Sequence, residues 1–205
     1  MASTAKTIAS DVDIVNLALS KLGFKSISDF DDLSNVKAAN LAKASYDIYL
    51  KSVMEQYPWD FCTEFVQLDA ATLPVDSYGY GSAFGVPPGT LRVYSVQDQS
   101  SEDGAEWCVR GKLILTNLAD SNSKIKVQVI KFDRNVEGYP PSFIDAVAER
   151  LAAEWSSSLL GSTSETDLRH TLQRDKVRDA MSSDGGVGSP VRTTTVASVL
   201  RVRGV

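Results

Sequence analysis

Apolar positions recur at three- and four-residue steps toward both ends of the chain and at two-residue steps between, which predicts helices flanking a region of strands. A first stripe, Ile14, Val15, Leu17, Ala18 and Leu22, predicts a helix from Asp11 or Asp13 to Leu22, with Gly23 as its stop. The second, Ala38, Leu41, Ala42, Ser45, Ile48, Tyr49 and Ser52, predicts a longer helix, capped by Asp32 or Ser34 and reaching Gln56. Its small residues near the start permit close approach of another helix. Residues 139–161 mark both ends of a third. Pro140 and Pro141 stop the preceding strand, Ser142 with Asp145 makes a capping-box-like start, and Gly161 supplies the left-handed end. Between them Ile144, Val147, Ala148, Leu151, Ala152, Trp155 and Leu159 form a stripe that must be buried. The fourth helix, about 164–182, carries only a narrow apolar face of Leu168, Leu172, Val177, Ala180 and Met181 among many charges.

Tyr57-Pro58-Trp59 breaks the second helix, and the period then falls to two. The predicted strands are 61–68, 91–97, 106–109 turning through Arg110-Gly111 into 112–116, and 124–132. In the last, Ile125, Val127 and Val129 alternate with Lys124, Lys126 and Gln128, the pattern of a strand with one wet face. Two loops, 70–88 and 98–104, are expected as exposed tips. After Asp184 a Gly-rich linker leads into a β-branched, basic segment that cannot build a core alone and is expected to order only against something else. The plan is α+β: an antiparallel helix bundle formed by both chain ends, with an inserted antiparallel β region and an extended C-terminal tail. Its units are an N-terminal extension (1–10), a helical hairpin (11–56), the inserted β region (57–138), a second helical hairpin (139–184) and the tail (185–205).

A chain of 205 residues, 43% hydrophobic and 23% charged, can bury a sizeable core as one or two soluble domains. Its apolar runs fall short of the roughly eighteen residues that span a bilayer, and Met1–Ser10 lacks the apolar core of a secretory signal, so a cytosolic origin is expected. Cys62 and Cys108 show no metal-ligand spacing and are expected to be buried free thiols. A net charge of −5 argues against a dedicated nucleic-acid binder. Beyond Asp184, however, there are Arg192, Arg201 and Arg203 and no acid, so contact with a polyanion or an acidic partner would begin there.

Candidate chemistry is sparse. The single histidine, His170, lies in a charged helix with no nucleophile elbow elsewhere in the chain, and reads as an exposed helix residue. Asp29, Asp31 and Asp32 stand at a helix entry, where carboxylates cap and oppose the dipole, and they lack the spacing of a calcium loop. Gly79, Gly81 and Gly85 lead toward Pro87-Pro88 and a strand rather than a helix N-terminus, unlike a phosphate loop. Tyr78, Tyr80 and Phe84 in the same loop either form a contact surface for another subunit or tail protein or pack the loop onto its own sheet. Arg169, Arg174, Lys176 and Arg178 interleave with Glu165, Asp167, Asp175 and Asp179, the pattern of a solvated, salt-bridged face. No catalytic, cofactor-binding or metal-binding residue is assigned.

Four pieces in order carry a resemblance. They are Asn16-Leu17-Ala18-Leu19-Ser20-Lys21-Leu22-Gly23, then Tyr57-Pro58-Trp59-Asp60-Phe61, then Tyr80 with Val86-Pro87-Pro88-Gly89-Thr90-Leu91-Arg92-Val93, and finally Val109 to Thr116 followed by Tyr139-Pro140-Pro141-Ser142-Phe143 and Leu151-Ala152-Ala153-Glu154. Together they resemble the head-to-tail adaptors of tailed bacteriophages, the tail tubular protein A type of short-tailed phages. The resemblance implies a non-enzymatic ring, typically dodecameric, assembled in the host cytoplasm and retained in the virion. Such a ring docks under the portal protein, receives the tail nozzle or tube on its far side, and passes double-stranded DNA along its axis without gripping it. Family C-terminal segments commonly reach the portal, which makes Arg192, Val199, Leu200, Arg201, Val202 and Arg203 the candidate portal contacts. Met1–Ser10 and the final segment depart from the family pattern. Two rival readings remain: a small carboxylate-dependent hydrolase with the Gly-rich loop as lid, and a DNA-binding regulator using Arg169–Arg178 as a recognition helix.

Overall fold

The computed structural model describes residues 10–72, 74, 79–97, 106–117, 124–161 and 163–185, with side chains from Thr166 onward in the last stretch. Helix α1 (Asp11–Lys21) starts at Ser10, whose Oγ accepts the Asp13 N–H at 3.2 Å and thereby satisfies one of the free donors of the first turn. It buries Ile14, Val15, Ala18 and Leu19. Helix α2 (Val36–Met54) follows a turn rather than a side-chain cap: its first flanking residue is Asn35, not Asp32 or Ser34. Asp32 instead organises the turn, accepting the Ser28 N–H at 2.7 Å and the Ser34 N–H and hydroxyl at 2.6 Å each.

The buried face of α2 also differs from the expected stripe. Ala39, Ala42, Tyr46, Leu50 and Val53 are buried, while Ile48 is 63% exposed. The stripe is therefore rotated by about one residue, roughly 100°. Both lines keep three- and four-residue steps, so periodicity alone did not fix the phase. The tertiary partners did: Tyr46 reaches Asp11 on α1 at 3.0 Å, and Leu50, Val53 and Met54 join the core around α3.

Helix α3 (Pro141–Leu160) has Pro141 at its first position and ends at Gly161, whose φ of 69° is the left-handed conformation that a side chain would strain. The capping box is absent. Pro140 precedes the helix without a side-chain cap, and Asp145 turns instead to Lys21 and Lys176. The predicted stripe from Ile144 to Trp155 is buried, and Leu159 partly so. This helix packs against α1, α2 and the last helix, α4 (Thr163–Gly185).

On α4 Val177 and Ala180 of the expected apolar face are buried and Met181 packs against the core, but Leu168 and Leu172 are 53% and 38% exposed, and Gln173 and Asp184 are buried beside the apolar residues. The neighbouring surface of α3 and α1 presents Glu149, Asp145 and Lys21, and polar partners outcompete leucines for that contact.

The middle of the chain forms two antiparallel sheets. In the first, β1 (Thr63–Leu68) and β4 (Thr90–Gln97) flank β7 (Ile125–Lys131). The second runs β2 (Ala70–Ala71), β3 (Ser82–Gly85), β6 (Leu113–Thr116) and β5 (Trp107–Arg110). Strands β5 and β6 close through Gly111 and Lys112, with Gly111 at φ 60° as the tight turn requires. The stretch expected as one long loop thus contributes two strands, and Phe84 on β3 is wholly buried among Val93, Val96, Ile114, Ile125, Val127 and Val129. Ile130 breaks the alternation of β7 because it crosses into the helical core. The fold is α+β, with four helices and two antiparallel sheets among the described residues.

An aromatic cluster joins the two regions. Phe143 at the start of α3 meets Trp59 at 5.0 Å, Phe61 at 4.8 Å and Tyr139 at 5.1 Å between ring centres, all edge-on. Trp59 donates its indole N–H to Val53 O at 3.2 Å. The chain therefore leaves the helices and returns to them through one packed joint. Among the described residues, no helix is long and apolar enough to cross a membrane. Both cysteines are free, Cys62 buried and Cys108 half-buried; burial pushes the Cys62 thiol up to about 12.

Candidate functional site

Along α4, His170, Arg174 and Arg178 follow one another at four-residue spacing and so share one side of the helix. The helix is held in register by ion pairs on its inner side. Lys21 of α1 bridges Asp145 at 2.8 Å and Glu149 at 2.9 Å on α3. Arg169 reaches Glu149 at 3.3 Å and the Lys21 carbonyl at 2.5 Å, and Lys176 pairs with Asp145 at 3.0 Å. Burial by itself would lower the Lys21 pKa, but the bonds to Asp145 and Glu149 outweigh it and hold Lys21 above its ordinary value. Arg169 and Lys176 of α4 are thus matched by acids of α3.

The other cations are not. A groove of about 590 Å³ is lined by Gln56 after α2, Arg150 of α3, and His170, Gln173, Arg174, Val177, Arg178 and Met181 of α4. Among the described residues its lining holds three guanidinium groups and an imidazole and no carboxylate. Arg150 pairs with Glu154 at 2.9 Å along its own helix and lies over the Tyr49 ring at 5.7 Å, yet its buried Nε–H has no acceptor among the described residues. Arg174 donates to the His170 carbonyl at 3.3 Å. Among the described residues neither Arg174 nor Arg178 takes part in an ion pair. Chemically, the groove is suited to carboxylates or phosphates presented from outside.

The sequence treated these arginines as part of an evenly mixed face. Spacing alone does not separate them, because Asp167 and Asp175 stand three residues before His170 and Arg178; only the groove lining, which holds no carboxylate among the described residues, sets these cations apart.

The other named residues are dispersed. Asp29 accepts the Asp31 N–H at 2.7 Å, and Asp31 pairs with Lys43 at 2.5 Å. The Ser34 and Ser28 donors hold the Asp32 carboxyl well below the usual range. These carboxylates are thus engaged in a local turn. Among the described residues, no group of three His, Cys, Asp or Glu side chains converges as a metal site would require. Of the aromatic loop, Tyr80 is half-buried and bonded to the Cys108 thiol, which raises its pKa, while buried Phe84 is unavailable to a partner. Tyr78, and Arg192, Val199, Leu200, Arg201, Val202 and Arg203, lie outside the described residues. No protein-family model matches the chain, and no curated protein matches it.

Proposed function

We propose that the protein is a structural head-to-tail adaptor of a tailed phage, a virion component that forms a ring, typically dodecameric, beneath the portal. In this reading the helices from both chain ends make an antiparallel bundle that carries the β region as an insertion. The tail nozzle or tube docks on the far side, and double-stranded DNA passes through the axis. No step of catalysis and no cofactor is involved.

The observation that carries the reading is the aromatic joint. Two of the segments that resemble the adaptor family, Tyr57 to Phe61 and Tyr139 to Phe143, are far apart in sequence and meet there ring to ring. In this reading the two segments together anchor an inserted β region on a helical base. The engaged state of Asp29, Asp31 and Asp32 gives no support to carboxylate hydrolysis. Inward-facing Arg169 likewise weakens a recognition-helix reading.

The net acidity of the chain fits a channel that does not grip DNA, because each neutralised phosphate would release counterions and tighten binding. Gly185, the last described residue of α4, is exposed. Deleting residues 186–205 is expected to abolish attachment to portal-bearing heads assembled without this protein, while the remaining body keeps its circular dichroism spectrum. Heads that capture the truncated protein as well as the full chain would refute the tail assignment. Failure of the full chain to attach would refute the adaptor reading itself.

A further inference from the structure

We infer that the basic groove between α3 and α4 receives the acidic turn Ser28–Asp32 of a second copy of this chain; the inference deepens the ring reading above and rests on it. The groove brings Arg150, His170, Arg174 and Arg178 together without a lining carboxylate among the described residues, and Arg150 retains a buried donor with no acceptor there. Arg174 and Arg178 take part in no ion pair among the described residues, so their guanidinium groups are the donors an incoming carboxylate would meet.

The turn between α1 and α2 has complementary chemistry. It presents Asp29 and Asp31, with the Asp31 side chain 79% exposed, and its backbone is fixed by the bonds from Ser28, Asp31 and Ser34 to aspartate oxygens. Such a preformed turn loses little conformational freedom on docking. Its one ion pair among the described residues, Lys43 to Asp31, is exposed on both sides and is therefore of the kind worth only about 0–1 kcal/mol, so it can be exchanged. Next to it Leu33 is 88% and Val36 49% exposed, an apolar shoulder that a neighbouring subunit would cover.

Groove and turn do not meet within one chain. The turn packs on another part of α2, where Asp31 pairs with Lys43 and Phe30 meets the Tyr46 ring at 5.9 Å, whereas Arg150 of the groove lies over Tyr49. Each copy thus carries one donor patch and one acceptor patch at separate places on one rigid body. Used head to tail, such a pair leaves a free patch at each end of every partial assembly, and the contact repeats until the ring closes.

The test uses two charge-reversed full-length chains, R174E/R178E and D29K/D31K, with self-association followed by sedimentation velocity at low and raised salt. Wild type is expected to self-associate, and less so in raised salt because exposed charges are screened. Each variant alone is expected to lose association by roughly tenfold or more, since groove and turn then carry charge of the same sign. An equimolar mixture of the two is expected to regain it. In an alternating assembly the reversed, acidic groove of one variant meets the reversed, basic turn of the other, and the remaining contact joins an unaltered groove to an unaltered turn. Unchanged association of both variants would place the subunit contact elsewhere and overturn this inference while leaving the ring intact. A wild-type chain that stays monomeric at the highest attainable concentration would also overturn it; the adaptor reading is then judged separately by attachment to heads. If R174E/R178E instead abolishes binding to a short DNA duplex and leaves self-association unchanged, the groove takes phosphates and the inference fails.

Discussion

Trp155 on α3 donates its indole N–H to the Ser45 hydroxyl on α2 at 2.9 Å, and Ser45 donates in turn to the Leu41 carbonyl at 2.7 Å. The indole is 1% exposed, so it contributes both a large buried surface and a fixed polar link between two helices. Truncation would remove both.

Trp155→Ala is therefore expected to cost ~3–5 kcal/mol in urea unfolding, the range for large aromatic truncations in cores. Trp155→Phe keeps much of the volume and removes the donor, and is expected to cost less, ~1–2 kcal/mol. A near-neutral alanine variant would contradict the burial of this side chain between α2 and α3.

The rotated face of α2 makes a second prediction. Leu50 is fully buried and Ile48 is mostly exposed, although the two are neighbours on one helix. Leu50→Ala is expected to destabilise the isolated chain by ~2–5 kcal/mol, and Ile48→Ser to fall within about 0.5 kcal/mol of wild type. Thermal or urea unfolding of both variants decides the phase. A larger loss from Ile48→Ser than from Leu50→Ala would restore the face expected from the sequence.

Two aspartates should respond to acid in opposite directions. For Asp145, burial would raise the carboxyl, but bonds to Lys21 and Lys176 prevail and lower it below its ordinary 3.8. Its stabilising contribution is present above that value and is lost as pH falls through the depressed folded value. Asp184 is raised by burial, against the lowering effect of the Asp60 N–H at 3.2 Å. Its ionisation thus costs stability as pH rises through 3.8. Asp145→Asn is expected to lower the urea midpoint at neutral pH. Asp184→Asn, which keeps an oxygen to accept the Asp60 N–H, is expected to raise it. Both differences should shrink toward zero in acid, and a neutral-pH Asp184→Asn midpoint at or below wild type would rule out a dominant burial cost.

The interaction surface was less legible in the sequence than the fold. His170, Arg174 and Arg178 were visible as a charged helix, but their acidic neighbours in sequence disguised the groove. Only the packing of α4 on α3 assigned each charge a partner: Arg169 went inward to Glu149 and Lys176 paired with Asp145 at the edge, leaving the other three beside Arg150. Likewise, Tyr80 and Phe84 could not be sorted between contact and core until β3 paired with β6 and drew Phe84 into the sandwich.

Local periodicity, prolines and glycines by themselves determined that four helices flank a β region and where most elements begin and end, because backbone preference acts over a few neighbouring residues. The α3 stripe through Trp155 followed from the same local pattern. Tertiary structure alone decided the phase of α2, the burial of Gln173 and Asp184 on α4 and the division of strands into two sheets. Those choices depend on which side chains from distant segments compete for the same buried contact, and spacing along one segment carries no information about its competitor.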